Sequence, residues 1–200
     1  MKRIISLACF IASTFALTPQ DIATGEGNCI PNEHAASLPT GTHSSEHIYG
    51  DLPGLSNVGW VETGVFRGSQ PEKGGYATLK RMGIRTVINL RTSLSEKRAV
   101  EAAGMRSVEV PMEMSGDGLK AKVDRVVALM ADPANRPLFV HCRHGQDRTG
   151  IVVAAFRMKE DGWGLKEAEA EMEAFGFNDI WVNFRHFIRD YAKRLGKSSK

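Results

Sequence analysis

His141-Cys142-Arg143-His144-Gly145-Gln146-Asp147-Arg148-Thr149-Gly150 is the stretch on which the reading of this chain turns. It follows a short apolar run, Leu138-Phe139-Val140, and precedes a longer one, Ile151-Val152-Val153-Ala154-Ala155-Phe156. The first is too short for a helix and reads as a buried strand. The second continues through Arg157-Met158 toward Gly162, long enough for a helix that ends at glycine. A strand, a tight loop and a helix N-terminus make an anion site, because loop N–H groups converge on the bound group and the helix dipole adds positive potential. Arg148 suits the rim of such a site, since its planar fork donates two parallel hydrogen bonds to phosphate oxygens. Cys142 falls at the bottom of the loop, where that field favours thiolate over thiol. A nucleophile beneath a phosphate cradle points to attack on phosphorus.

The 200 residues suit one domain with a sizeable core. The first of them read as something else. Lys2-Arg3 make a charged start, residues 4–15 are mostly apolar, and Thr14-Phe15-Ala16 offers the small residues a signal peptidase needs. The apolar run is too short to span a membrane. Residues 1–16 are therefore expected to be a cleaved signal peptide, making the protein exported, periplasmic or secreted, with no stable membrane anchor after cleavage. Loss of Lys2 and Arg3 would leave 24 of the 26 basic residues against 23 acidic ones. The mature chain is then near neutral, and nothing in its charge calls for a nucleic-acid partner. Cys9 would leave with the signal. The two that remain, Cys29 and Cys142, do not make a disulfide framework, and a bridge between them would demand close Cα atoms.

Residues 17–57 are rich in Gly, Pro, Ser, Thr, Asn and His, the composition of an irregular arm. His43 and His47 stand four apart, but no helical pattern surrounds them and no third ligand is evident, so they read as a solvated loop. The domain proper is expected over 58–200. Val65-Phe66-Arg67 reads as a strand entering a Gly68-Ser69-Gln70-Pro71 turn. A short helix over 74–82 follows, then the β-branched strand Thr86-Val87-Ile88-Asn89-Leu90 and a helix over 95–103. Ser107-Val108-Glu109-Val110 is a third strand. Val123, Val126 or Val127, and Met130 mark one face of the next helix, which Asp132-Pro133 ends. Beyond the loop the chain reads as wholly helical, with stripes at Leu165, Ala168, Met172, Phe175 and at Trp181, Phe184, Ile188, Tyr191, Leu195. Strands alternating with helices imply an α/β fold with a mainly parallel central sheet covered on both faces.

The context His-Cys-x-x-Gly-x-x-Arg-Thr-Gly resembles the signature of cysteine-dependent protein tyrosine and atypical dual-specificity phosphatases, and residues 141–150 match each of its fixed positions. The pieces Phe66-Arg67-Gly68-Ser69-Gln70-Pro71, Gly83-Ile84-Arg85-Thr86-Val87-Ile88-Asn89-Leu90-Arg91 and Asp132-Pro133-Ala134-Asn135-Arg136-Pro137 resemble the atypical branch. The likeness covers about residues 58–195 and implies a phosphotyrosine phosphatase-like fold with a helical C-terminal part.

Roles follow from the chemistry and from the resemblance. Cys142 attacks phosphorus and forms a phosphocysteine, splitting hydrolysis into two displacements. Arg148 and the amides of residues 143–148, a run that includes Gly145, Gln146 and Asp147, hold the equatorial oxygens. The resemblance has Thr149 donating its hydroxyl to the leaving thiolate, which does not exclude a helix N-cap. His141 is expected to orient the loop. By analogy Arg143 and His144 point to the mouth, where they contact substrate or are simply solvated. Arg91 ends a strand on the side where such sheets place ligands, or is a surface arginine. The family normally takes its general acid from a loop between the preceding strand and the nucleophile strand, here residues 111–118. Asp117 is the only aspartate there and Glu113 the other acid; Asp117 is equally placed to cap the next helix. Asp147 is the reserve, resembling the in-loop acid of myotubularin-type phosphatases, or an ion-pair partner of a neighbouring arginine. No cofactor and no metal is required, since the site supplies its own positive charge.

Three functions are compatible with these residues. The leading one is a phosphotyrosine or dual-specificity protein phosphatase acting as a monomer on a phosphorylated protein or small phosphate ester. The second is an inositol polyphosphate or phosphoinositide phosphatase, because Arg143, His144 and Met114-Ser115-Gly116 resemble an atypical branch with such substrates. The third is a catalytically silent phosphate-binding module.

Overall fold

The structure, a computed structural model, describes residues 48–93, 95–113 and 118–198. The expected signal segment 1–16, most of the arm with Cys29, His43 and His47, and Asp117 lie outside the described residues.

Hydrophobic alternation sets the layers. Six strands form one sheet: β1 (Ile48–Leu52), β2 (Leu55–Glu62), β3 (Val65–Gly68), β4 (Thr86–Asn89), β5 (Arg106–Glu109) and β6 (Leu138–His141), in the order β1-β2-β3-β6-β4-β5. β3, β6, β4 and β5 run parallel to one another, while β1, β2 and β3 form an antiparallel meander. Successive side chains on a strand point to opposite faces, so β4 and β6 feed two cores at once. Ile88, Leu138 and Val140 join the larger core with Val61 and Val65. Val87 and Phe139 join the smaller one with Leu55 and Val58.

The larger core is closed by four helices: α3 (Leu119–Ala131), α4 (Asp147–Lys159), α5 (Leu165–Ala174) and α6 (Val182–Arg194). The smaller is closed by α1 (Gly75–Arg81) and α2 (Lys97–Ala102) through Leu79 and Val100. α4 is buried all round, every residue from Thr149 to Met158 being buried, and apart from Thr149 and Arg157 that run is apolar or glycine. It runs between the sheet and α3, α5 and α6, so the helix that carries the anion loop is also the central strut of the larger core. Full burial of Phe139, Phe156 and Phe184 is worth about 1.5–3 kcal/mol each. α6 buries Phe184, Ile188 and Tyr191 of the expected stripe, with Ala192 beside them, while Trp181 and Leu195 pack against the core partly buried.

The sequence reading ends the irregular arm at residue 57, whereas in the structure the sheet begins at Ile48. β1 and β2 are joined by a turn at Pro53-Gly54, with Gly54 at φ 73°. The register of β1 slips between Ile48 and Gly50 and again between Gly50 and Leu52. Those irregularities break the two-residue alternation by which a strand is recognised in sequence. Pairing with β2 recruits the segment, and Leu55 and Val58 are buried beneath it.

Candidate active site

Cys142 follows the last residue of β6, and Gln146 takes the N-cap position of α4, so residues 142–146 turn the chain from strand to helix. Gly145 makes the turn feasible. Its φ is +72°, and a Cβ there would lie 2.5 Å from the Gly68 carbonyl carbon. The loop is thus pressed against the end of β3.

The orientation of the loop is set from outside it. The Cys142 carbonyl lies 3.2 Å from His141 Nδ1. The Arg143 carbonyl accepts from the Gln70 backbone N–H at 3.2 Å. The His144 carbonyl accepts from Asn57 Nδ2 at 3.1 Å, and the Gly145 carbonyl from Arg67 Nη2 at 3.0 Å. Four successive carbonyls are drawn outward. In a trans peptide the C=O and the following N–H point in opposite directions, so the amides of residues 143–146 turn to the other side, away from those partners. That arrangement is an anion nest at a helix N-terminus.

Cys142 is buried at the base of this nest. Arg148 stands in the first turn of α4, half-buried, while Arg143 and His144 are exposed. Thr149 is fully buried in the same turn, and its hydroxyl makes no hydrogen bond. It is not the N-cap, because Gln146 holds that position. Asp147 accepts from the Asn178 backbone N–H at 2.9 Å, which ties the loop to the chain between α5 and α6 rather than to an arginine. Asn57 also donates to the Phe175 carbonyl at 3.1 Å, so loop, β2 and the end of α5 share one clamp. Arg91 is half-buried and donates to the Gln70 side chain, one residue-length from the loop contact made by the Gln70 backbone.

His141 is fully buried and its Nε2 donates to Glu96 Oε1 at 2.6 Å. Tyr76 Oη donates to the other oxygen, Oε2, at 2.8 Å. Burial opposes the charge on Glu96, but the hydrogen bonds and charge of His141, with Tyr76 and Arg91, outweigh it and hold the carboxyl below its ordinary 4.5. A carboxylate depressed in the folded state contributes stability that is complete above its unfolded value and is lost as pH falls through the folded one. Glu96→Gln should therefore lower stability at neutral pH and flatten its decline below about pH 4.5. Urea denaturation of both proteins across that range reads the effect; parallel declines would refute the assignment.

Of the two acids in the loop between β5 and α3, Asp117 lies outside the described residues. Gly118, in a left-handed conformation at φ 88°, holds the N-cap position of α3 without a side-chain cap. Glu113 is bonded to Lys122, and that bond first, with the Arg148 charge among the smaller contributions, holds its carboxyl below the usual range. A group kept ionised in this way is poorly suited to deliver a proton.

Three residues that shape the loop carried no sequence signal of their own: Asn57, Arg67 and Glu96. Each is polar and distant in sequence from the loop, and although Arg67 falls in a stretch that resembles the atypical branch, nothing in that stretch singled it out as a contact of the loop. Arg67 is the most unusual, being fully buried with Phe175 stacked over its guanidinium, 3.7 Å from atom to ring centre.

The geometry has counterparts among known proteins. The family model described as the tyrosine phosphatase family matches residues 54–200. A dual specificity protein phosphatase, TpbA of Pseudomonas aeruginosa, is 27% identical over 115 residues, covering 58% of this chain and 52% of that protein. The inositol diphosphatase DSP3 of Arabidopsis thaliana is 26% identical over 125 residues, covering 59% of this chain and 61% of that one. The chain thus spans about half the length of the first of these curated relatives and less than two thirds of the other. Among solved structures, P. aeruginosa TpbA superposes with a TM-score of 0.64 at 23% identity, over 78% of this chain and 99% of that one. The catalytic domain of the S. cerevisiae PP-IP phosphatase SIW14 gives 0.63 at 21% identity, over 74% and 92%. These two likenesses establish the α/β fold, and with the family match over residues 54–200 the chain belongs to the tyrosine phosphatase family.

Proposed function

We propose that this protein hydrolyses phosphate monoesters through a phosphocysteine intermediate, with phosphotyrosine or dual-specificity protein substrates as its natural class. The observation that carries this reading is the set of contacts that hold the carbonyls of residues 142–145 from outside the loop, leaving the amides that follow them turned the other way beside the buried Cys142. The Cys142 thiolate attacks phosphorus while the P–O bond to the leaving group breaks, and the departing oxygen takes a proton from a general acid. Water then attacks the phosphocysteine, the P–S bond breaks, and the thiolate returns with inorganic phosphate as product. The loop amides and Arg148 hold the non-bridging oxygens throughout, and their bonds strengthen as charge redistributes. His141 and Glu96 keep the loop in shape and need move no proton.

Asp117 is our candidate for the acid, with Asp147 in reserve; the bond from Asn178 gives Asp147 a structural occupation of its own. Asp117→Asn should lower turnover roughly 10²- to 10⁴-fold on phosphotyrosine, far less on an activated aryl phosphate, and flatten the basic limb of the pH profile. The same signature in Asp147→Asn, with none in Asp117→Asn, would reverse the two roles.

A second reading, hydrolysis of inositol polyphosphates or diphosphates, is supported by the exposed Arg143 and His144 and by relatives named inositol diphosphatases. Profiling purified protein on phosphotyrosine peptides, phosphoserine peptides and inositol phosphates separates the two. A higher kcat/KM on the inositol series would displace the protein-phosphatase reading, and no turnover of any ester would leave a phosphate-binding module.

Export of the protein through cleavage of residues 1–16 belongs to the same proposal and rests on the charged, apolar and small-residue order of that segment. Among the described residues no helix is long and apolar enough to cross a membrane. Intact mass of protein recovered from outside the cytoplasm tests it, retention of Met1 being the contrary result.

A further inference from the structure

We infer that Arg67 is a positioning residue for the nucleophile: a buried guanidinium behind the loop that holds the Gly145 carbonyl outward and supplies a positive charge to Cys142 from the side opposite the substrate. This rests on the phosphatase reading only in calling Cys142 the nucleophile.

The placement is built by the sheet. β3 and β6 run parallel, with Arg67 beside Val140 and Gly68 beside His141, so Arg67 sits on the strand next to the one that delivers Cys142. Its side chain is fully buried, and Nη2 donates to the Gly145 carbonyl at 3.0 Å. Phe175 covers the guanidinium, and Gly59, paired with Arg67 across β2 and β3, leaves room for that ring. A Cβ at Gly59 would stand 2.3 Å from the ring tip. Water is thereby excluded from one side of the guanidinium.

Such a charge is costly to bury unless something compensates it. Nε and Nη1 of Arg67 have no hydrogen-bond partner. The other buried arginine nearby, Arg157, is fully engaged: it donates to both oxygens of Glu171, at 2.8 and 3.2 Å, to Asp161 at 3.0 Å and to the Val61 carbonyl at 2.6 Å. Glu171 is thus largely committed to Arg157. Burial, the largest influence, pushes Arg67 down to about 10, while Glu171 and Cys142 hold it up and Arg157 opposes it. The remaining charged groups near the pair are Arg148 in the first turn of α4, Asp147 bonded to Asn178, the exposed Arg143 and His144, and the His141–Glu96 pair behind the loop.

The test is the pH dependence of iodoacetamide alkylation of Cys142, which needs no turnover, beside the kcat/KM profile. In Arg67→Met, which keeps the bulk of the side chain without its charge, the acid limb of both profiles should move up by about one pH unit. That is a tenfold loss of reactive thiolate on the acid side, recovered at high pH. A merely structural role would lower both rates at every pH without moving the limb, and a folded Arg67→Met with an unmoved limb overturns the inference. Should that variant not fold, the guanidinium ¹⁵N signals of Arg67 in the unmodified protein decide. They should shift in step with the thiol titration and cease to do so in Cys142→Ala; signals indifferent to that titration overturn it. Alkylation that behaves as expected in a protein with no activity on any ester would defeat the phosphatase reading alone.

Discussion

Cys142→Ser should abolish turnover, by on the order of a thousandfold or more, while phosphate esters and inorganic phosphate still bind, because the cradle survives. The nest is made by backbone amides whose carbonyls are tied back to Asn57, Arg67, Gln70 and His141, and none of those bonds uses the Cys142 side chain. Arg148→Lys gives the complementary result. An ammonium keeps the charge but loses the two-pronged donor geometry, so kcat should fall about 10²- to 10³-fold with weaker oxyanion binding as well. Single-turnover phosphate release and an oxyanion titration distinguish the two variants. Appreciable turnover by Cys142→Ser would remove the covalent mechanism. Unimpaired turnover by Arg148→Lys would remove its bidentate role.

Gly145→Ala should be the most damaging single-methyl change in the site. The residue has φ +72°, where an L side chain is strained, and the added Cβ would meet the Gly68 carbonyl carbon at 2.5 Å, its oxygen at 2.6 Å and the Ser69 nitrogen at 2.8 Å. These are backbone atoms of β3 and its turn and cannot step aside as a flexible side chain would. Strained backbone costs about 1–2 kcal/mol and overpacking a further 1–3 kcal/mol. A loop displaced by about 1 Å would lose roughly 10² in kcat. Gly83→Ala is the control: its φ is similar at +78°, but nothing lies within 4 Å of the added carbon. Urea denaturation and kcat on both variants isolate the contact from the backbone preference. If Gly145→Ala is no less stable and no less active than Gly83→Ala, the close approach of loop and β3 is not needed.

The secondary structure was legible where it obeys a simple period. β4 and β6 are short apolar runs, and α3, α5 and α6 show their buried stripes at helical spacing. β1 was not legible, because its register slips twice and its partner is the next strand rather than its own sequence. Thr149 and Asp147 show a subtler limit. Both were placed correctly in the loop and first turn, yet Asp147 turned to Asn178 and the N-cap fell to Gln146. Those choices depend on what lies across the loop.

By itself the sequence determined the strand, loop and helix around Cys142 and Arg148, because that unit is contiguous and the helix N-terminus, glycine turn and donor fork act over a few residues. It also determined the two-faced sheet, since alternating apolar side chains have to be buried on both sides. Only the tertiary structure decided which way the loop amides face. That direction is imposed by Asn57, Gln70, Arg67 and His141, the last held by Glu96, and of these only His141 adjoins the loop in sequence. A polar residue buried for the sake of a distant carbonyl leaves no periodicity behind it. Its role exists only once β2, β3 and the end of α5 have closed around the loop.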